Sequence, residues 1–153
     1  NRAFGCVRLQ APVTGLLDTL RIYFGFSDMQ YNIRIYDDII AGQKSGGVLS
    51  STSGGATHSG WYVVALPTPL SVSAGEYFAV DVEFIAQTGN NNPLRFDKSG
   101  QDCGCSYIDN DGVGTYSLYE GNLMIHAGVT QPAATPTPDP STGLSSQVWS
   151  LYE

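Results

Sequence analysis

At 153 residues the chain has room for one domain, because about 130 residues remain for a core once a Pro/Thr-rich stretch and a short tail are set aside. Seven basic against fourteen acidic side chains give a formal charge of -7, which repels phosphate backbones and anionic bilayers and argues against nucleic acid as a partner. No apolar run approaches the roughly 18 residues of a membrane span, and eighteen glycines and nine tyrosines beside two lysines suit a glycine-turned, exported β protein.

Asn1 is not an initiating methionine, so any leader is expected to have been removed or to lie upstream. A first strand is predicted over residues 4–9, and residues 14–20 have room for at most one turn of helix. Leu20, Ile22 and Phe24 then alternate with Arg21 and Tyr23, and Tyr31, Ile33 and Ile35 alternate with Asn32, Arg34 and Tyr36, giving two strands with one buried face each. Strands over 48–50 and 61–66 follow, the second halted by Pro67 and Pro69. The strongest strand runs over 77–85, where Phe78, Val80, Val82 and Phe84 point one way and Asp81 and Glu83 the other. Shorter strands are expected over 94–96, 106–108 and 115–118. In the last strong one Leu123, Ile125, Ala127 and Val129 oppose Met124 and His126.

Gly-, Pro- and Asn-rich clusters such as Gly46-Gly47, Gly54-Gly55 and Asn90-Asn91-Asn92-Pro93 separate these segments. Nine or ten short strands, each with a single apolar face, are satisfied by two antiparallel sheets packed face to face. The expected fold is an all-β, jelly-roll-like sandwich over residues 1–130, with a closed barrel as the alternative.

The chain resembles the lectin-like β-sandwich domain that follows the catalytic domain in some secreted papain-like cysteine peptidases of bacteria and archaea. The resemblance covers roughly residues 15–129. It rests on Leu20-Arg21-Ile22-Tyr23, on Tyr31-Asn32-Ile33-Arg34-Ile35-Tyr36, on the passage from Gly60-Trp61-Tyr62 to Gly75-Glu76-Tyr77-Phe78-Ala79-Val80, and on Ser106-Tyr107-Ile108 through Gly112 and Tyr116 to Gly121-Asn122-Leu123-Met124-Ile125-His126-Ala127. These are strand and turn patterns, not catalytic signatures. The resemblance implies a non-catalytic accessory module of a secreted or surface protein, with glycans among its candidate ligands. Cys103-Gly104-Cys105 and the Pro/Thr tail depart from the plain family pattern.

Three cysteines in an exported chain suggest one disulfide and one leftover thiol. A bridge from Cys6 to Cys103 or Cys105 is the expected pairing, closing a loop worth about 4 kcal/mol in the ideal chain-entropy limit, and a bridge within Cys103-Gly104-Cys105 is the strained alternative. Asp109-Asn110-Asp111-Gly112 has two readings. It suits an Asx-rich hairpin turn, and its oxygens offer a candidate calcium site without the later ligands of an EF-hand; no other cofactor is called for. His58 and His126 are read as surface residues, with no nucleophile elbow or zinc-protease pattern around them. Asp81 and Glu83, roughly 7 Å apart along one strand face, repeat a spacing loosely like that of a glycosidase pair but are read as an ordinary solvent-facing alternation. Tyr23, Tyr36, Tyr62 and Tyr77 fall opposite the apolar sets and are the candidate platform for sugar rings or another protein.

Residues 131–143 read as an extended polyproline II spacer reaching up to about 40 Å at roughly 3.1 Å per residue. The segment 144–153 ends in Trp149-Ser150-Leu151-Tyr152-Glu153, an echo of Tyr116-Ser117-Leu118-Tyr119-Glu120. It is too short to fold alone, and it is expected to dock as a strand on a sandwich edge through Val148, Trp149, Leu151 and Tyr152, in cis or on a second copy. Two functions follow as expectations. One is a non-catalytic extracellular or cell-surface module for adhesion or for binding a glycan or surface protein. The other is a structural subunit that self-associates through its C-terminal strand into a filament or layer.

Overall fold

The computed structural model describes residues 1–87, 93–99, 101–109, 112 and 114–133, and among them every regular element is a strand. In chain order these are β1 (Arg2–Gln10), β2 (Gly15–Phe24), β3 (Met29–Tyr36), β4 (Asp38–Ile40), β5 (Gln43–Ser45), β6 (Ser50–Ala56), β7 (Gly60–Val72), β8 (Tyr77–Ile85), β9 (Phe96–Asp97), β10 (Ser106–Asp109), β11 (Ser117–Leu118), β12 (Asn122–Leu123) and β13 (Ile125–Thr130). A six-stranded sheet runs β11-β10-β1-β8-β3-β6 and a three-stranded sheet runs β13-β2-β7, all pairs antiparallel. Among the described residues each sheet ends in edge strands, β11 and β6 in the larger and β13 and β7 in the smaller, so the fold is a sandwich and not the closed barrel.

The alternation read from the sequence places the core. Phe78, Val80, Val82 and Phe84 of β8 and Ile33 and Ile35 of β3 face Leu20, Ile22 and Phe24 of β2 and Val64 and Leu66 of β7 in one buried cluster. Phe24 anchors it, with ring contacts to Tyr31, Tyr62 and Phe84 at centroid distances of 5.2, 5.4 and 5.7 Å. β8 lies between β1 and β3 and is buried on both faces. Its outer face is covered by the β4–β5 hairpin and by Tyr116, which enclose Cys6, Ile39 and Ala79 in a second small cluster.

Three local expectations are corrected. The one turn of helix for which residues 14–20 had room does not form, since β2 starts at Gly15 and pairs with both neighbours. Pro67 and Pro69 do not end β7. Thr19 pairs with Ala65 and Leu17 with Leu70, so residues 66–69 bulge opposite Asp18 on an edge strand, where no ladder bond is asked of a proline nitrogen. The strand expected over 48–50 lies instead at Ser50–Ala56, a Ser/Gly edge strand with no apolar alternation to announce it. Gly54 lies opposite Tyr31 of β3, and a Cβ there would press on the Tyr31 hydroxyl and make the ring shift.

Candidate functional site

The three-stranded sheet is narrower than its partner, so the inner face of β1 is not fully covered beyond the edge strand β13. The β9–β12 pair and the loop before β10 close over that flank and leave a groove of about 360 Å³. Its apolar floor is formed by Val7 and Leu9 of β1 with Leu123 and Ile125, and Met124 and the Cys103–Cys105 disulfide also line it. Trp61 of β7, His126 of β13, Asp97 of β9 and Asn122 of β12 complete the lining.

Trp61 owes its position to strand register. It pairs with Tyr23, and Arg21 pairs with both Val63 and His126, which puts Trp61, Val63, Arg21, Tyr23 and His126 on the outer face of the small sheet. The indole sits edge-on to Tyr23 at 5.6 Å and lies 4.9 Å from the His126 ring, with the Arg21 guanidinium 5.1 Å from its centroid. It is held on several sides yet remains 36% exposed. The Asp97 carboxyl is held below the usual carboxylate range by the Ser99 hydroxyl and amide, both of which donate to Oδ1. The charged form therefore persists at neutral pH, and Oδ2 remains as an acceptor. Asn122 is spent on bracing the wall: its Oδ1 accepts the Cys103 amide at 2.9 Å and its Nδ2 donates to the Gln101 carbonyl at 3.0 Å.

The cysteine pairing differs from the expected one. Cys103 bridges Cys105, with Cα atoms 5.1 Å apart, while Cys6 is a free buried thiol. Strand alternation is the reason. Val7 and Leu9 face the groove and the disulfide, whereas Cys6 faces the opposite side of the sheet, among Ile39, Ala79 and Tyr116. Burial pushes its thiol pKa up, and the Asp81 charge adds to the shift. Gly104 permits the tight bridge by taking a φ of 60°, and its amide donates to Asp102 Oδ1 at 3.0 Å.

The four tyrosines do not form one platform. Tyr23 alone joins the Trp61 cluster. Tyr62 points inward against Phe24, with its hydroxyl at the His58 ring, 2.9 Å away. Tyr36 and Tyr77 belong to the outer face of the large sheet, where Tyr36 lies 4.9 Å from Lys44 Nζ and Tyr77 3.8 Å below the Arg8 guanidinium. On that same face Asp81 and Glu83 are not the solvent-facing pair expected. Asp81 is 1% exposed; it accepts the Tyr116 hydroxyl at 2.6 Å and Lys44 Nζ at 3.0 Å, with Arg34 at 3.7 Å. Glu83 accepts Asn32 Nδ2 at 2.8 Å and pairs with Arg2 at 3.0 Å, although that contact lacks hydrogen-bond geometry. Both carboxylates are tied to structural partners in an ion network.

Asp109 acts as a turn-former, accepting the Gly112 amide on Oδ1 at 2.8 Å and the Gly114 amide on Oδ2 at 2.7 Å. Asn110 and Asp111 lie outside the described residues, as do Val148, Trp149, Leu151 and Tyr152. Among the described residues no three His, Cys, Asp or Glu side chains are grouped to hold a metal, and no helix is long and apolar enough to cross a membrane. Sequence reading gave Trp61 no part in a site, took His126 for an ordinary surface residue and did not bring Asp97 to either of them. The available signal was the register of Trp61 beside Tyr23, but residues 61–66 alternate apolar with apolar, and nothing in that run says which set faces out.

A comparison with curated proteins finds no match. Among solved structures, the fold is similar to that of the cysteine protease and lectin-like domains of Cwp84, a surface layer associated protein of Clostridium difficile, with a TM-score of 0.63 and 16% identity. The match covers 86% of this chain and 33% of that one, so the chain spans about a third of that structure and the likeness is one of fold. The family model described as "Lectin like domain" matches residues 13–127, which take in β2 to the start of β13 and every groove-lining residue except those of β1. The chain belongs to the lectin-like domain family.

Proposed function

We propose that this chain is a non-catalytic glycan-binding module of an extracellular or cell-surface protein, and that it holds its ligand in the groove beside Trp61. The observation that carries the reading is a partly exposed indole, braced by Tyr23, Arg21 and His126, at the rim of an apolar groove in a lectin-like domain. An indole face accepts the C–H face of a sugar ring, and a carboxylate and an imidazole nearby can fix its hydroxyls. The structural likeness to a domain of a surface layer associated protein supports the extracellular setting, and the engagement of Asp81 and Glu83 in an ion network supports a binding role over a hydrolytic one.

Screening on a glycan array followed by calorimetry tests the reading. Trp61→Ala is expected to weaken binding about tenfold or more, as loss of a central aromatic anchor does. Tyr77→Ala, on the opposite face, is expected to leave binding unchanged. Uniformly blank arrays, or equal binding by Trp61→Ala, would remove the glycan reading.

A further inference from the structure

We infer that the groove selects sugars bearing an N-acetyl group, neutral N-acetylhexosamines, over plain hexoses and over acidic sugars. This rests on the glycan reading above and names the substrate class of the same site.

Three observations lead there. The floor is made of Val7, Leu9, Leu123 and Ile125, with Met124 and the disulfide beside it. A hexose docked on Trp61 with a hydroxyl directed at that floor would bury a polar group without a partner, which costs free energy. A methyl group placed there would bury apolar surface instead, and an acetamido substituent is the common way a sugar carries one. At about 360 Å³ the groove sits near the lower end of ligand-pocket sizes, roughly 300–1,000 Å³, so it has room for a ring with its substituent.

The second observation is the polar complement. An acetamido group brings one N–H donor with its methyl, and Asp97 Oδ2, left over after Ser99 takes Oδ1, is an acceptor in the same lining. His126 supplies a second polar contact at the Trp61 end. The third is charge. The lining holds a carboxylate and neither lysine nor arginine, the Arg21 guanidinium 5.1 Å from the indole centroid standing outside it, so a uronic or sialic acid in the groove would meet the Asp97 charge with no cation of the lining set against it.

The test uses the full 153-residue chain and three trimers by calorimetry: β-1,4-linked N-acetylglucosamine, β-1,4-linked glucose, which differs only at the C2 substituent, and a uronic-acid trimer. The N-acetylated trimer is expected to bind at least tenfold tighter than either of the others. Leu9→Asn and Met124→Gln, checked for native near-ultraviolet dichroism, are expected to erase that preference, while Trp61→Ala weakens every trimer. Glucose or uronate trimers bound as tightly as the N-acetylated one, with dependence on Trp61, would overturn this inference and leave the glycan reading standing. No binding of any oligosaccharide, on the trimers or on the array, would overturn both.

Discussion

Asp81 shows how much of this molecule turns on single side chains. A carboxylate 1% exposed on a central strand is stable only because Lys44, Tyr116 and Arg34 surround it. Lys44→Met keeps the length and apolar stem of the side chain but removes the nearest cation, and is expected to cost about 3 kcal/mol in urea unfolding, as breaking a buried pair does. The Tyr116 phenol, pushed up by burial and then by the Asp81 charge, stays protonated and continues to donate. Cys6 shares this enclosure. Trypsin separates it, in the peptide spanning residues 3–8, from Cys103 and Cys105, which share one fragment after Lys98. Mass mapping without reductant is therefore expected to find an internal bridge in the larger fragment and a Cys6 thiol that alkylates only after unfolding. A linked pair of fragments would refute the pairing. The sequence made the burial of Phe78, Val80, Val82 and Phe84 legible, since charges alternate with them. It could not show that Asp81 and Glu83 are buried too, because the residues that cover them come from distant parts of the chain.

At the scale of elements, the β4–β5 hairpin is the piece that sequence reading passed over. It is only three residues a side, with no apolar repeat. It turns through Ala41 and Gly42 at φ 49° and 78°, a pair in which only Gly42 signals a positive-φ turn. Tertiary contacts hold it down: the Tyr116 amide donates to the Gly42 carbonyl at 3.0 Å, and Arg8 grips Asp38 through Nε at 2.7 Å and Nη2 at 2.8 Å. The Arg8 hydrogen bond, aided by the Ile39 amide, holds the Asp38 pKa below its ordinary 3.8. A depressed carboxylate pKa means stability that is present above the unfolded value and lost as the pH falls through the folded one. Asp38→Asn is accordingly expected to lower stability by about 1 kcal/mol at pH 7, with the gap to the parent chain holding down to pH 3.8 and closing below it. A gap that persisted unchanged to lower pH would mean that packing, not charge, fixes the hairpin. β7 was half legible for a related reason. Its prolines look like a stop until the partner strand reveals a bulge to receive them.

For the whole molecule, the sandwich could be read from period-two alternation and turn chemistry, but the site could not. The groove exists because two sheets of unequal width meet, and sheet width depends on which strands pair, information that no single segment carries. Its residues come from β1, β7, β9, β12, β13 and the cysteine loop, spread over more than a hundred positions of sequence. The tyrosines drew attention for their chemistry, yet register divides them between two faces and the interior.

The disulfide joins residues only two positions apart. A ring that small removes little freedom from the unfolded chain, under about 2 kcal/mol in the chain-entropy limit, against the four or more of a bridge across the domain. Its bond therefore shapes the groove wall more than it secures the sandwich. Treatment with a dithiol reductant is expected to move the melting temperature by no more than about 8 °C while affinity for the proposed glycan ligand falls clearly, and a collapse of both together would contradict this. In an environment that alternates between oxidising and reducing, a domain that held a glycan in this groove, as proposed, would lose its grip while keeping its fold, and would recover that grip on reoxidation without refolding.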